Sequence, residues 1–356
     1  MPPSHKPQQP KKGANSLASN VSAVVHNQNQ IRSGQAAPLR KGEEMNERIG
    51  LIDIDSHNFP NIPLMKLSAW HKQQGDFVEW YDPWNGLAEE YDKVYVSKVF
   101  SFSKDYEHPI YAKEVNYGGS GYCIKLVDGK EVYDSARDKM LPHEIEHIYP
   151  DYGLYGITDC AYGFLTRGCP RNCQFCHTTQ KDGCVSHKVA DLAEFWNGQK
   201  NIVLLDQNIL ACKDHLDLLQ QLIDSKAYVE FNGGLDIRLV TERNIEQIKR
   251  LKIKSIHFAY DRYQDKKTVE CKLQMFKDAT GWDKNKKRII VYVLVNFDTT
   301  IEQDIERIQF LRNLNFAPYV MIYDKEHCNP VYRRLQRWVN NYFVFWSVPT
   351  FAEYNR

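Results

Sequence analysis

The sequence predicts an α/β protein: an open, six-unit partial (β/α) barrel preceded by a small doubly wound domain. Three observations carry that expectation. Apolar, β-branched runs alternate with amphipathic segments along nearly all of the chain beyond residue 45. A stretch of weak periodicity separates an early group of such units from a later one. The later group contains six strand-helix units, too few for a closed eight-unit barrel and suited to an open one.

The early group begins at Arg48–Asp55 (RIGLIDID), a buried strand. Ile62–Gly75 (IPLMKLSAWHKQQG) reads as an amphipathic helix ended by glycine, and Phe77–Asp82 as a second strand. A short helix over Leu87–Tyr91 and a strand over Lys93–Phe100 follow. In doubly wound sheets ligands bind beyond the carboxyl ends of the strands, here Asp53, Asp55, Ser56, His57, Lys98 and Ser101. From Tyr162 the alternation is regular, with strands at 162–167, 201–206, 228–232, 255–260, 288–297 and 318–323. Helices are expected near 188–198, 213–226, 241–252, 266–280 and 300–314, and a last one over Pro330–Phe343. Thr241, followed by acidic residues, is a plausible helix start. The expected organisation is therefore a leader at 1–44, a doubly wound domain at 45–120, a connector at 121–160, a partial barrel at 161–326 and a C-terminal helix and tail at 327–356.

Composition narrows the function. At 356 residues and 42% hydrophobic content the chain can bury a core in each of two domains. The 46 Lys and Arg nearly balance the 45 Asp and Glu, so no global field favours nucleic acid or membrane as a partner. Residues 1–42 are polar, with six basic side chains and no acidic one, and are expected to be disordered. Because Met45 stands just ahead of the first strand, residues 1–44 read as an added leader or an upstream extension. No run of eighteen apolar residues and no compact apolar signal occurs, so a soluble, cytoplasmic protein is expected. In a reducing compartment the nine cysteines are thiols or ligands before they are disulfides.

Three of them stand together. Thr166–His177 (TRGCPRNCQFCH) places Cys169, Cys173 and Cys176 in a C-x3-C-x2-C spacing, in the loop after the first barrel strand. Such loops carry the chemistry of barrel folds, and three thiolates on one tight loop can face a single cubane. A four-iron cluster takes four ligands, so three cysteines leave one iron open. A structural zinc site would want a fourth ligand, usually from a second pair, and there is no second C-x2-C; Cys184 or His177 is the remaining candidate. Cys123, Cys160, Cys184, Cys212, Cys271 and Cys328 are scattered and read as small buried hydrophobes.

This motif, in a six-unit partial barrel, resembles the radical S-adenosylmethionine (SAM) superfamily over about residues 155–325. The form RGCPxxCxFC is similar to the subgroup that often carries an N-terminal Rossmann-like, cobalamin-binding-like domain. The resemblance implies that Cys169, Cys173 and Cys176 hold a four-iron, four-sulfur cluster and that SAM chelates the open iron. One-electron reduction then splits its sulfur-carbon bond, and the resulting radical takes hydrogen from a substrate. It also implies a one-electron donor such as flavodoxin or ferredoxin.

A SAM site needs acidic, amide and cationic groups at successive strand ends, and the sequence offers them. Asp206 and Asn208 end the second barrel strand, where the family often has a Gly-Gly-Glu stretch for the SAM amine that this chain lacks. Asn232, Asp236 and Arg238 follow the third strand beside two glycines that permit close backbone approach; Arg238 could meet the SAM carboxylate or pair with Asp236. Asp261 and Arg262 end the fourth. Phe175 is expected to shield the cluster, His177 to hydrogen-bond within its loop, and Tyr323, Trp338, Phe343 and Trp346 to form core or barrel cover.

Asp55-Ser-His57-Asn-Phe-Pro60 resembles the D-x-H-x-x-G motif in which a histidine ligates the cobalt of cobalamin, with Pro60 in the glycine's place. Proline is the conformational opposite of glycine, so an empty domain is the favoured reading. Three classes are left: a radical SAM enzyme acting on a peptide, lipid or small molecule; a cobalamin-dependent radical SAM methyltransferase; and a non-enzymatic iron- or zinc-binding module. Transfer RNA modification ranks low, because Cys123 is the only cysteine in residues 45–159 and a basic tail is lacking.

Overall fold

The computed structural model describes residues 46–55, 59–127, 130–285 and 288–355. From Asn46 onward these form one compact unit of mixed α/β structure. The expected disorder of residues 1–44 lies outside the described residues, and His57 does too.

Strand β1 (Arg48–Asp53) is buried along its centre. Helix α1 (Ile62–Gln74) starts where the Asn61 side chain accepts from the Leu64 amide, and Gly75 closes it. Strand β2 (Phe77–Trp80), helix α2 (Pro83–Ala88), strand β3 (Tyr91–Ser97) and strand β4 (Ala112–Gly118) complete an all-parallel sheet in the order β2-β1-β3-β4. Two expectations need correction. The second helix lies at Pro83–Ala88 rather than Leu87–Tyr91, because the Asp82 carboxylate caps the Trp84 and Asn85 amides and Pro83 opens the first turn. Strand β4 lies in the stretch that reads as aperiodic, yet it pairs with β3; its exposed edge residues give no alternation. Helix α3 (Ser120–Cys123), the antiparallel hairpin of β5 (Ile124–Val127) and β6 (Lys130–Tyr133), and helix α4 (His143–Glu146) lead to the second sheet.

That sheet begins with β7 (Cys160–Gly163), after which β8 (Thr166–Arg167), helix α5 (Thr178–Asp182) and β9 (His187–Lys188) form a loop excursion in which β8 and β9 pair antiparallel. Strand β10 (Asn201–Leu204), helix α6 (His215–Ser225), strand β11 (Tyr228–Leu235), helix α7 (Glu242–Arg250), strand β12 (Lys252–Ala259), helix α8 (Lys266–Thr280), strand β13 (Arg288–Val295), helix α9 (Ile301–Asn313) and strand β14 (Ala317–Ile322) then alternate. The six long strands are parallel and lie in chain order, β7-β10-β11-β12-β13-β14.

The expected helix over 188–198 is replaced by β9 and a single 3-10 turn at Leu192–Glu194. Burial explains it: the Phe195 ring occupies the space above Gly163, and the Tyr152 hydroxyl donates to the Phe195 carbonyl at 2.8 Å, drawing the segment onto the sheet edge. The expected final helix over 330–343 divides at Asn341 into α10 (Pro330–Asn340) and α11 (Tyr342–Ser347), since the Asn341 side chain caps the second by accepting from the Val344 amide. No helix among the described residues is long and apolar enough to cross a membrane.

One face of the second sheet packs under helices: Ile289, Val291, Val293 and Val295 on β13 are fully buried there. The opposite face is different. His257, Tyr292 and Tyr319 touch across β12, β13 and β14, and Tyr319 is 46% exposed. Parallel sheets are ordinarily covered on both faces. Here the exposure is local to β14, with Tyr319 and Met321 open while His257 and Leu294 on the same face are buried.

Candidate metal centre

The three cysteines sit beyond the carboxyl end of β7, an edge strand of this sheet. Gly168 has φ +86°, and a Cβ there would stand 2.2 Å from the Val185 carbonyl oxygen, so the turn into Cys169 closes only with glycine. The Cys169 amide donates to the Gly183 carbonyl, and the Cys176 amide to that of Cys173. Cys169 and Cys173 are half-buried and Cys176 is exposed. Burial pushes the Cys173 thiol up; the neighbouring Cys176, Asp261 and Cys169 add to this and Arg238 opposes it.

The segment just past β10 holds this loop through three consecutive residues. Asp206, 3% exposed, accepts from the amides of Leu165 and Thr166 and from the Thr166 hydroxyl, the last two at 2.5 and 2.6 Å. Gln207 donates to Asp182 at the far end of the loop. Asn208 donates through Nδ2 to the Cys169 sulfur at 3.4 Å. The sequence suggests a ligand amine as the partner of Asp206; its carboxylate instead turns into the loop and is spent there. Burial pushes its pKa up to about 6 against these bonds.

Asp236 and Arg238 are also joined to the protein. Asp236 accepts from Arg238 Nε at 2.7 Å and from Arg171 Nε, and Arg238 continues to Asp265 at 2.6 Å. Burial would push Asp236 up, but the two guanidinium groups win and hold it below its ordinary value. Arg171 belongs to the cysteine loop, so this ladder fastens the loop to the end of β11. Arg238, a sequence-level candidate for a ligand carboxylate, is committed to Asp236 and Asp265. Asn232 is not past its strand but inside it, in a register irregularity between Phe231 and Leu235. There Gly233 presses on the backbone of Asp206, where a Cβ would stand 2.1 Å from the carbonyl oxygen. The side chain of Asn232 is half-buried; its carbonyl lies 3.3 Å from His257 Nδ1. Asp261 accepts from the Leu294 amide at 3.1 Å, and burial raises it to about 6.

Phe175 meets Phe297 edge to face, and Phe297 meets Tyr323, so an aromatic row runs from the cysteine loop to the ends of β13 and β14. His177 bonds Gln180 within the loop and lies 3.5 Å from Glu131. Cys123, Cys212 and Cys328 are buried as expected, but Cys184 and Cys271 are exposed, and so is Phe343 at 83%. Thr166, Arg171, Gln207 and Phe297 are contributors that the sequence does not single out. Arg171 lies within the motif itself, and only its place between two cysteines could have drawn notice.

Beyond β1 and β3, Asp55 accepts from the amides of Val99 and Phe100 and from the Ser103 hydroxyl, and Lys98, 7% exposed, pairs with Asp105. The loops after β1 and β3 are therefore tied to one another.

The three sulfurs stand wider apart than the ligands of one zinc ion. Thiolates sharing a tetrahedral zinc at about 2.3 Å stand about 3.8 Å apart. The three sulfurs are not all within 4.8 Å of one another, a condition met among the described residues by Glu47, His71 and Asp76. The latter group is hydrogen-bonded within the protein: His71 to Asp76 and Tyr95, and Glu47 to Lys93. A cubane places each thiolate on its own iron and tolerates wider spacing. No protein-family model matches the chain, and no curated protein matches it significantly.

Proposed function

We propose that this chain is a radical SAM enzyme whose Cys169, Cys173 and Cys176 hold a four-iron, four-sulfur cluster with one iron left for SAM. The observation that carries the reading is the loop itself: three thiols beyond the carboxyl end of one strand, its two ends held by Asp206 and Gln207 just past the next. When bound there, the cluster and SAM would supply one-electron reductive cleavage of a sulfur-carbon bond, the start of radical chemistry. The six parallel strands in chain order suit the partial barrel of that superfamily, with the four-stranded parallel sheet as its N-terminal Rossmann-like companion.

The chain's own residues divide the work. Asp206, Arg171 and Asp236 position the loop. Asn232, within β11, and Asp261, just past β12, are the polar groups left to meet SAM. Phe175, Phe297 and Tyr323 exclude water on one side. The sheet face with His257, Tyr292 and the exposed Tyr319 would form the wall of a substrate chamber, for a peptide, lipid or small molecule. A flavodoxin- or ferredoxin-like donor would supply the electron in a cytoplasmic setting. Cobalamin is not included, since Asp55 is engaged with the β3 loop.

The test is anaerobic iron and sulfide analysis with electron paramagnetic resonance of the reduced protein, with and without SAM. About four irons per chain and a spectrum altered by SAM are expected. Zinc instead of iron, or a cluster indifferent to SAM, overturns the proposal and leaves a metal-binding module.

A further inference from the structure

We infer that Asn208 tunes the reduction potential of the cluster through its amide bond to Cys169. The inference rests on the radical SAM reading and deepens it. Asn208 is 2% exposed, and its Nδ2 stands 3.4 Å from the Cys169 sulfur. Turning the amide over would set its carbonyl lone pairs against a thiolate, so nitrogen is the atom that faces sulfur.

The residue is fixed from behind. Its own carbonyl accepts from the hydroxyl of Ser186, itself 4% exposed, at 3.0 Å, and from the Ala211 amide at the following 3-10 turn. The side chain's other end is left unsatisfied: Oδ1 is buried and has no hydrogen-bond partner. Gln207 Oε1 beside it is likewise unpartnered, so the placement of the donor, not the open acceptor, carries the inference: the buried amide nitrogen is set against a sulfur.

The sulfurs of a cluster carry part of the electron that reduction adds. A donor held against one of them stabilises the electron-rich reduced state more than the oxidised state, and so raises the potential. Burial keeps that bond from being screened by water. Cys176 also has a hydroxyl neighbour, Thr178 at 3.2 Å, but it is exposed. The buried amide on Cys169 therefore dominates the asymmetry among the three ligands.

The test is a potentiometric titration, followed by electron paramagnetic resonance, of the reconstituted full chain and of Asn208→Leu and Asn208→Asp. Leucine removes the donor at similar volume; aspartate puts negative charge in its place. The expected result is a lower midpoint potential in Asn208→Leu and a still lower one in Asn208→Asp, each with wild-type iron content. An unchanged midpoint in the iron-loaded variants overturns the inference. Loss of iron from both variants, with the wild type loaded, also overturns it, making Asn208 a structural part of the loop. If the wild type itself takes up no iron and sulfide, the failure belongs to the radical SAM reading instead.

Discussion

Replacing Asp206 by asparagine should change the pH dependence of stability in a window fixed by its burial. The folded protein raises this carboxyl from 3.8 to about 6, with desolvation outweighing the bonds from Leu165 and Thr166. As pH rises from about 4 to about 6 the unfolded chain releases this proton before the folded one does, so unfolding is favoured progressively. The stabilisation is fully present below about pH 4 and is lost as pH passes 6. A shift of about two units is worth about 3 kcal/mol. The introduced asparagine would keep an acceptor for the Thr166 amide but carry no charge, so the substitution Asp206→Asn should gain on the wild type by up to about 3 kcal/mol between about pH 4 and about pH 7. Urea denaturation of both metal-free proteins at several pH values measures the difference. A difference that stays flat with pH, or moves the other way, refutes the claim that burial raises this carboxyl.

Other outcomes follow from the same geometry. Cys169→Ala, Cys173→Ala and Cys176→Ala should each abolish SAM cleavage, assayed by chromatography, while far-ultraviolet circular dichroism stays native; retained cleavage in any of them is contrary to the ligand assignment. Gly168→Ala forces a side chain against the Val185 carbonyl at positive φ, and should cost about 1–3 kcal/mol in urea melts and lower iron uptake on reconstitution. Arg307 is fully buried, pairs with Asp304, and donates to the Tyr260 and Leu294 carbonyls at the ends of β12 and β13. Arg307→Met should destabilise by about 3–5 kcal/mol because Asp304 is left buried and uncompensated, and adding Asp304→Asn should recover part of that loss in the same melts.

The periodic elements are legible in the sequence because their burial is one-sided. Helix α8 falls at 266–280 as the sequence predicts, with Val269, Leu273 and Phe276 buried along one stripe. Strand β13 reads clearly for the same reason. Strand β4 escapes notice because its residues are mostly half-exposed at a sheet edge, and the segment after β9 mimics a helix because Phe195 and Leu192 bury apolar groups without one. At the site, the motif marks the cysteines, but spacing cannot say which way a carboxylate turns. Asp206 and Arg238 each stand at a strand end, and each is bonded within the protein rather than left open. That depends on Thr166, Arg171 and Asp265, which no local pattern joins to them.

What the loop gains from these bonds is a fixed shape in a place where shape is costly. Asp206 and Asp261 are both pushed up to about 6 by burial at strand ends of one sheet, and Asn208 keeps an orphaned acceptor beside the cysteines. A fold selected for stability alone would remove each of these with an apolar or better-paired residue. Unfavourable local features gathered at one end of one sheet, around three thiols, are what a functional centre produces. The flank of the same sheet is mostly apolar. There β14 meets α10, and Trp338 is fully buried within the core. Other such costs lie elsewhere, in the buried Asp304–Arg307 pair and in the unpartnered Arg334 Nε of α10, but those sit on helices, whereas Asp206, Asn208 and Asp261 lie just past strands of the sheet that carries the cysteines.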